Sequence, residues 1–208
     1  ATVSDTFVLT VINTNDAPVI SSTPVTSVNE DAAYAYTTTA SDDDGETVTL
    51  TCTTVPLWMS CTSGVLTGTP ANANVGTHSV VITASDGTAS VTDSFTVTVA
   101  NTNDAPTIDS TAVTAVDEDA AYTYTVTTSD DDGDTLTLAA TSTLPGWLSF
   151  DAATGILSGT PLNANVGDNA VVITASDATA TATQSFTIVV TNTNDAPTID
   201  STAVTAVD

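Results

Sequence analysis

The chain has no lysine and no arginine: Lys+Arg is 0 against Asp+Glu 25 over 208 residues, a formal net charge of −25. With His78 as the only titratable base among the side chains, each carboxylate is left to solvent, to backbone N–H groups or to a bound cation. The same absence removes the basic face that nucleic acid and anionic membrane surfaces demand, so neither is an expected partner. Long hydrophobic runs are missing too. No stretch of about 18 consecutive apolar residues exists, so no membrane insertion is expected, and no basic leader with an apolar core opens the chain. His78 has Asn169 at its matching place later in the chain and reads as an exposed strand histidine. A Ser-His-Asp triad therefore has no support, and no enzymatic activity is expected.

What is present is repetition. Asn101-Thr102-Asn103-Asp104-Ala105-Pro106 stands also at 13–18 and at 192–197, copies about 90 residues apart. Each copy ends a run with strand alternation, such as Phe95, Val97 and Val99, and its proline stops strand pairing. The reading is two full repeats, 17–104 and 105–195. Residues 1–16, with Phe7, Leu9 and Val11 alternating, read as the last strand and linker of a preceding repeat, and 196–208 as the first strand of a following one. The chain looks like a window on a longer array.

Within the second repeat seven short runs rich in Thr, Val, Ile and Tyr follow one another: Ile108–Val116, Tyr122–Thr128, Thr135–Ala140, Trp147–Asp151, Ile156–Ser158, Ala170–Ala175 and Ser185–Thr191. Asp, Gly, Asn and Pro clusters separate them, which predicts an all-β, seven-stranded antiparallel sandwich in each repeat. Leu148 and Phe150 share a face and are expected in the core, with Asp151–Gly155 as a hairpin turn. Val172 beside Ile173 leaves the register of that strand open.

Cysteine is nearly absent. Cys52 and Cys61 fall in one repeat, and the other has Ala140 and Phe150 at the matching places. A pair present together and absent together argues for a disulfide formed in an oxidising compartment; two buried free thiols are the other reading.

The segment Leu144-Pro145-Gly146-Trp147-Leu148-Ser149-Phe150 running to Gly159-Thr160-Pro161, the Asn-Asp-Ala-Pro junction and Ala175-Ser176-Asp177 together resemble the bacterial cadherin-like and putative-Ig repeats, of the dystroglycan-type group, of large surface adhesins. The resemblance covers essentially the whole chain and implies tandem Ig/cadherin-like sandwiches at the cell surface. Acid clusters recur at matching positions: Asn29-Glu30-Asp31 with Asp117-Glu118-Asp119, Asp42 to Glu46 with Asp130 to Asp134, and Asp86 with Asp177. Two carboxylates about 4 Å apart repel by roughly 4 kcal/mol at an effective dielectric of about 20, so a cation is expected wherever they converge. Ca²⁺, which takes oxygen ligands from carboxylates, amides and carbonyls, is the expected ion.

Carried across by position, the resemblance implies a middle junction built from Glu30, Asn101, Asn103, Asp104, Asp130, Asp132 and Asp177. The first junction corresponds to Asn13, Asn15, Asp16, Asp42, Asp44 and Asp86, and the last to Glu118, Asn192, Asn194 and Asp195. Asn101 departs from the cadherin pattern, which has Asp there. Solvated turns are the plainer reading of the same loops. The expected function is a calcium-rigidified extender, with neighbouring repeats as partners and exposed strands at 1–12 and 198–208 able to pair with other chains. The alternative is a calcium-dependent carbohydrate-binding module presenting Trp58 or Trp147, each of which otherwise closes an edge of the core.

Overall fold

A computed structural model describes residues 1–201; the rest of the strand expected over 196–208 lies outside the described residues. The chain divides into two compact units, Ala1–Thr102 and Asn103–Asp208. In the first unit the strands are β1 (Val19–Ile20), β2 (Ser27–Asn29), β3 (Tyr34–Thr37), β4 (Ala40–Ser41), β5 (Thr49–Thr54), β6 (Met59–Thr62), β7 (Val65–Gly68), β8 (Gly76–Ser85) and β9 (Ser90–Ala100). The second repeats them as β10 (Thr107–Ile108), β11 (Ala115–Asp117), β12 (Tyr122–Thr125), β13 (Thr128–Ser129), β14 (Thr137–Ala140), β15 (Leu148–Asp151), β16 (Ile156–Gly159), β17 (Gly167–Ser176) and β18 (Thr181–Thr191).

Each unit is a sandwich. A four-stranded sheet, in the order β2-β9-β8-β5 or β11-β18-β17-β14, faces a three-stranded one, β3-β7-β6 or β12-β16-β15. Seven strands are recovered once the split first and second strands are joined. Period-2 alternation fills the space between the sheets: Tyr122, Tyr124, Leu148, Leu157, Val171, Ile173 and Ile188 form the core of the second unit, with Phe150 packed against it. Full burial of a side chain such as Leu157 or Ile173 contributes about 1.5–3 kcal/mol.

The structure departs from the sequence reading in four places. The expected continuous strand Ile108–Val116 is two pieces: β10 pairs antiparallel with β13, and β11 then pairs parallel with β18. In a chain of seven alternating strands the first and last run the same way, so placing them side by side forces a parallel ladder. What holds the crossing is tertiary, since Tyr122 Oη donates to Val113 O at 2.8 Å and Ser110 Oγ lies 2.7 Å from Tyr124 Oη. Burial pushes the Tyr122 phenol, like its counterpart Tyr34, up to about 12, so both remain donors.

Secondly, β17 and β18 are longer than their apolar runs, because each supplies the other with a partner from Gly167↔Val190 to Ser176↔Thr181. The register puts Val171, Ile173 and Ala175 in the core. Thirdly, no strand forms over 1–16 among the described residues, where Phe7, Leu9 and Val11 are exposed. Finally, His78 is half-buried rather than exposed. Its ring meets Trp58 edge-on at 5.8 Å, and its Nε2 lies 2.6 Å from Asn74 O, the role that Asn169 plays toward Asn165 O.

Candidate metal sites

The acids gather at loops by ordinary turn chemistry. In the second unit Asp130 Oδ1 accepts the N–H groups of Asp132 and Asp134, both at 3.1 Å, and Gly133 takes φ +73°. That Asx turn draws carboxylate oxygens of Asp130, Asp132 and Asp134 to within 4.8 Å of one another. The linker is tied to the loop from the same unit: Asp104 N–H donates to Asp132 Oδ2 at 2.7 Å, and Asn103 Nδ2 donates to Asp177 Oδ2 at 2.9 Å. Asp177 is buried, and its Oδ1 accepts Thr179 and Ala180 N–H at 2.5 and 2.6 Å.

The first unit repeats this geometry. Asp16 N–H reaches Asp44 Oδ2 at 2.7 Å, Asn15 Nδ2 reaches Asp86 Oδ2 at 3.0 Å, and Asn13 Nδ2 adds a bond to Asp44 Oδ1 at 2.6 Å. Carboxylate oxygens of Asp42, Asp44 and Glu46 again lie within 4.8 Å of one another.

Glu30 and Glu118 occupy the other end of their units, where β2 and β11 finish. Each is 2% exposed. Glu118 Oε1 accepts Thr193 N–H at 2.7 Å, and Glu30 Oε1 accepts Thr102 N–H at 2.6 Å. The second oxygen of each, Oε2, is buried with no hydrogen-bond partner, and so are Asp42 Oδ2 and Asp130 Oδ2. A buried carboxylate oxygen without a protein donor is costly, and here the same positions are left so in both repeats. Asn101, Asn192, Asn194 and Asp195 are exposed on their linkers. The set offers oxygen alone, with no thiolate or imidazole, which suits a hard cation of the Ca²⁺ kind.

Glu46 and Asp134 are members of the clusters that position-by-position reading omitted. The alternation Asp130, Asp132, Asp134 in the sequence is the signal that points to them. Asp42 pushes Glu46 above the usual carboxylate range, because only protonated Glu46 can donate a hydrogen bond to the neighbouring carboxylate and the ionised form is repelled by its charge. The opposite holds for Asp177, kept low first by Ala180 N–H and then by the Asn103 amide, and for Asp86, kept low by Ala89 N–H, Thr88 N–H and then Asn15.

A pH dependence follows. Acids with lowered folded-state pKa contribute stability that is complete above their unfolded value and lost as pH falls through the folded one; Glu46 works in the reverse sense, its contribution present at low pH and lost as pH rises. With chelator present, urea midpoints are expected to decline from about pH 4 downward, and Asp177→Asn to shallow that decline. An identical slope in Asp177→Asn would show that this carboxylate is not responsible.

Both tryptophans pack edge-on against a tyrosine of the same unit. Trp147 is half-buried, edge-on to Tyr122 at 5.8 Å, with its Nε1 donating to Asn169 Oδ1 at 3.0 Å. Trp58 packs edge-on to Tyr34 at 5.9 Å.

Residues 17–100 and 105–191 each match the family model described as Putative Ig domain. No curated protein matches the chain. Among solved structures, an endo-fucoidan hydrolase from glycoside hydrolase family 107 is 29% identical with a TM-score of 0.39; the match covers 86% of this chain and 29% of that one. This chain thus spans under a third of that protein's length. Human protocadherin-24 EC1-2 is 17% identical with a TM-score of 0.49, over 85% of this chain and 99% of that one. Human mucin-like protocadherin EC1-2 is 18% identical with a TM-score of 0.49, over 85% and 98%.

Proposed function

Because the chain belongs to the Putative Ig domain family, in two tandem copies, we propose that it is a calcium-rigidified spacer module of a large extracellular adhesin or surface fibre. The observation that carries the reading is the set of buried, partnerless oxygens on Glu30, Asp42, Glu118 and Asp130 in a chain without lysine or arginine. Each unit has such an oxygen at both ends. A divalent ion at these places satisfies the orphan oxygens and offsets the repulsion that raises Glu46. At the middle junction the ligands are Glu30, Asn101, Asn103, Asp104, Asp130, Asp132 and Asp177, with Asp134 added from the loop. Thr102, bonded to Glu30, and Asp104, bonded to Asp132, are two residues apart in the chain. A cation there stiffens the linker by fixing both of its ends.

Calcium titration followed by thermal melting tests the proposal. Extracellular modules hold Ca²⁺ at roughly 10⁻⁴–10⁻³ M, so a tenfold excess over Kd adds about 1.4 kcal/mol per site. That is about 6–11 °C for a unit of this size. Glu118→Gln is expected to remove part of the gain in the second unit only. Melting curves that coincide with and without chelator would sink the proposal. The carbohydrate-binding alternative needs an accessible aromatic face, and the packing of Trp58 and Trp147 against Tyr34 and Tyr122 favours the spacer.

A further inference from the structure

We infer that the first unit holds a docking groove for a lysine side chain carried by an extended segment of a partner protein. The groove, of about 420 Å³, runs between β1 and β9: Pro18, Val19 and Ile20 form one wall, Val91 and Asp93 the other, and Ser22 also lines it. Asp93 stands on the inward face of β9, in phase with Phe95, Val97 and Val99, and is half-buried. Its carboxylate has no hydrogen-bond partner among the described residues, and a chain without lysine or arginine has neither to pair with it.

The second unit shows what such a place requires. Gln184 stands where the first unit has Asp93; its Nε2 donates to Ser110 O at 2.8 Å, and its Oε1 accepts Tyr124 Oη at 2.7 Å. The frame around it is the same in both units. Ser22 Oγ lies 2.7 Å from Tyr36 Oη and accepts Thr39 N–H at 2.9 Å, as Ser110 Oγ does with Tyr124 Oη and Thr127 N–H. Only the donor is missing. Asp93 is one methylene shorter than Gln184 and, ionised, has no N–H to give. Ser22 O, the counterpart of Ser110 O, accepts no hydrogen bond among the described residues and is left beside an unpaired carboxylate. A ligand bringing N–H donors and a positive charge supplies from outside what Gln184 supplies from within.

An ammonium on an aliphatic stem has that chemistry. Its methylenes lie along Pro18, Val19 and Ile20, and its three donors rotate to acceptors that arrive from different directions, which the planar fork of a guanidinium does not match. The carrier is extended because β9 offers it an edge. β2 pairs with β9 only at Thr98–Ala100, and Thr98 N–H donates across that edge to Thr26 O at 2.9 Å. Alternate residues turn their N–H and C=O groups to the same side, so Thr92, Ser94 and Thr96 present theirs to the open part, and no backbone bond outside the β8–β9 ladder uses them. The open part, Ser90–Val97, is about 26 Å long. A residue that pairs opposite Asp93 turns its side chain to the same inward face and so into the groove. An inward acid on an open edge also repels other copies of this chain, whose formal charge is −25, so the same carboxylate that admits a lysine refuses self-pairing.

Isothermal titration of the full chain with the capped peptide Thr-Val-Thr-Lys-Thr-Val-Thr, at low salt and with chelator present, tests the inference independently of any bound cation. One site per chain is expected, with the norleucine counterpart of the peptide bound about tenfold more weakly. Asp93→Gln, which copies the strap of the second unit, is expected to abolish binding while melting no lower than the native chain, and Gln184→Asp to open a second site. A native chain that does not bind the lysine peptide, or binds the norleucine peptide equally well, overturns the inference. So does binding that survives in folded Asp93→Gln, or a folded Gln184→Asp that still takes one peptide. If Asp93→Gln does not fold, Asp93→Asn is read in its place.

Discussion

Gly159→Ala is expected to cost the second unit about 3 kcal/mol, lowering its melting temperature by roughly 12–24 °C while the first unit melts as before. Gly159 pairs with Tyr122 on one side and Leu148 on the other, in the middle of the three-stranded sheet. A Cβ there overlaps Trp147 O and lies 2.9 Å from Trp147 C. Both are backbone atoms, so no rotamer change relieves the overlap and β15 must move away from β16. Gly68 is in the same position against Trp58 O, and Gly68→Ala is expected to act on the first unit alone. Gly146→Ala is the control: nothing lies within 4 Å of its Cβ, and it is expected to be nearly neutral. Differential scanning calorimetry separates the two units. A Gly159→Ala transition within a few degrees of the native one would mean that strand separation at this point is loose.

The recurrence of Gly-Thr-Pro at 68–70 and 159–161 is legible in the sequence, but its reason is not. Only the fold brings the carbonyl before Leu148 onto the glycine. The same limit applies to the first strand. The run from Ile108 to Val116 reads as one strand in the sequence, and at its break Tyr122 and Tyr124, on another strand, hold Val113 and Ser110 by their hydroxyls. By contrast β12, β15 and β16 follow from alternation and turn residues, because there the local pattern and the burial agree.

For the candidate sites, repetition singles out the recurring acids, and the hydrogen bonds of Asn103 and Asp104 tie the linker to Asp177 and Asp132. The structure adds the donors. Asn103 uses its amide N–H on Asp177, which leaves its carbonyl oxygen as the atom it would offer a cation under the proposed reading, and Asp104 contributes its backbone N–H to Asp132. Nor could burial of Glu30 and Glu118 be read from residues flanked by exposed asparagine and aspartate. It arises because each backbone N–H continues the last strand, on Ala100 O or Thr191 O, and so turns the carboxylate inward.

Removing the disulfide by Cys52→Ser with Cys61→Ser is expected to destabilise the first unit by about 2.5–3 kcal/mol and to leave the second untouched. Cys52 lies on β5 and Cys61 on β6, which belong to different sheets, so the bond ties the two layers of the sandwich with Cα atoms 6.3 Å apart. Closing a loop between residues nine apart in sequence removes unfolded-chain entropy, and a unit of about 90 residues, which buries a modest share of its surface, has little margin to lose. The second unit shows what replaces it. Ala140 pairs with Ile173 as Cys52 pairs with Ile82, and Phe150 pairs with Leu157 as Cys61 pairs with Leu66. One phenyl ring there fills the space between the layers. Cys52→Ala with Cys61→Phe is therefore expected to recover a measurable part of the loss, and chemical denaturation with and without reductant reads all three forms. Equal stability of the native and double-serine chains would remove the bond from any structural role. A loss confined to the first unit would instead show that half of the chain depends on conditions that keep these thiols oxidised.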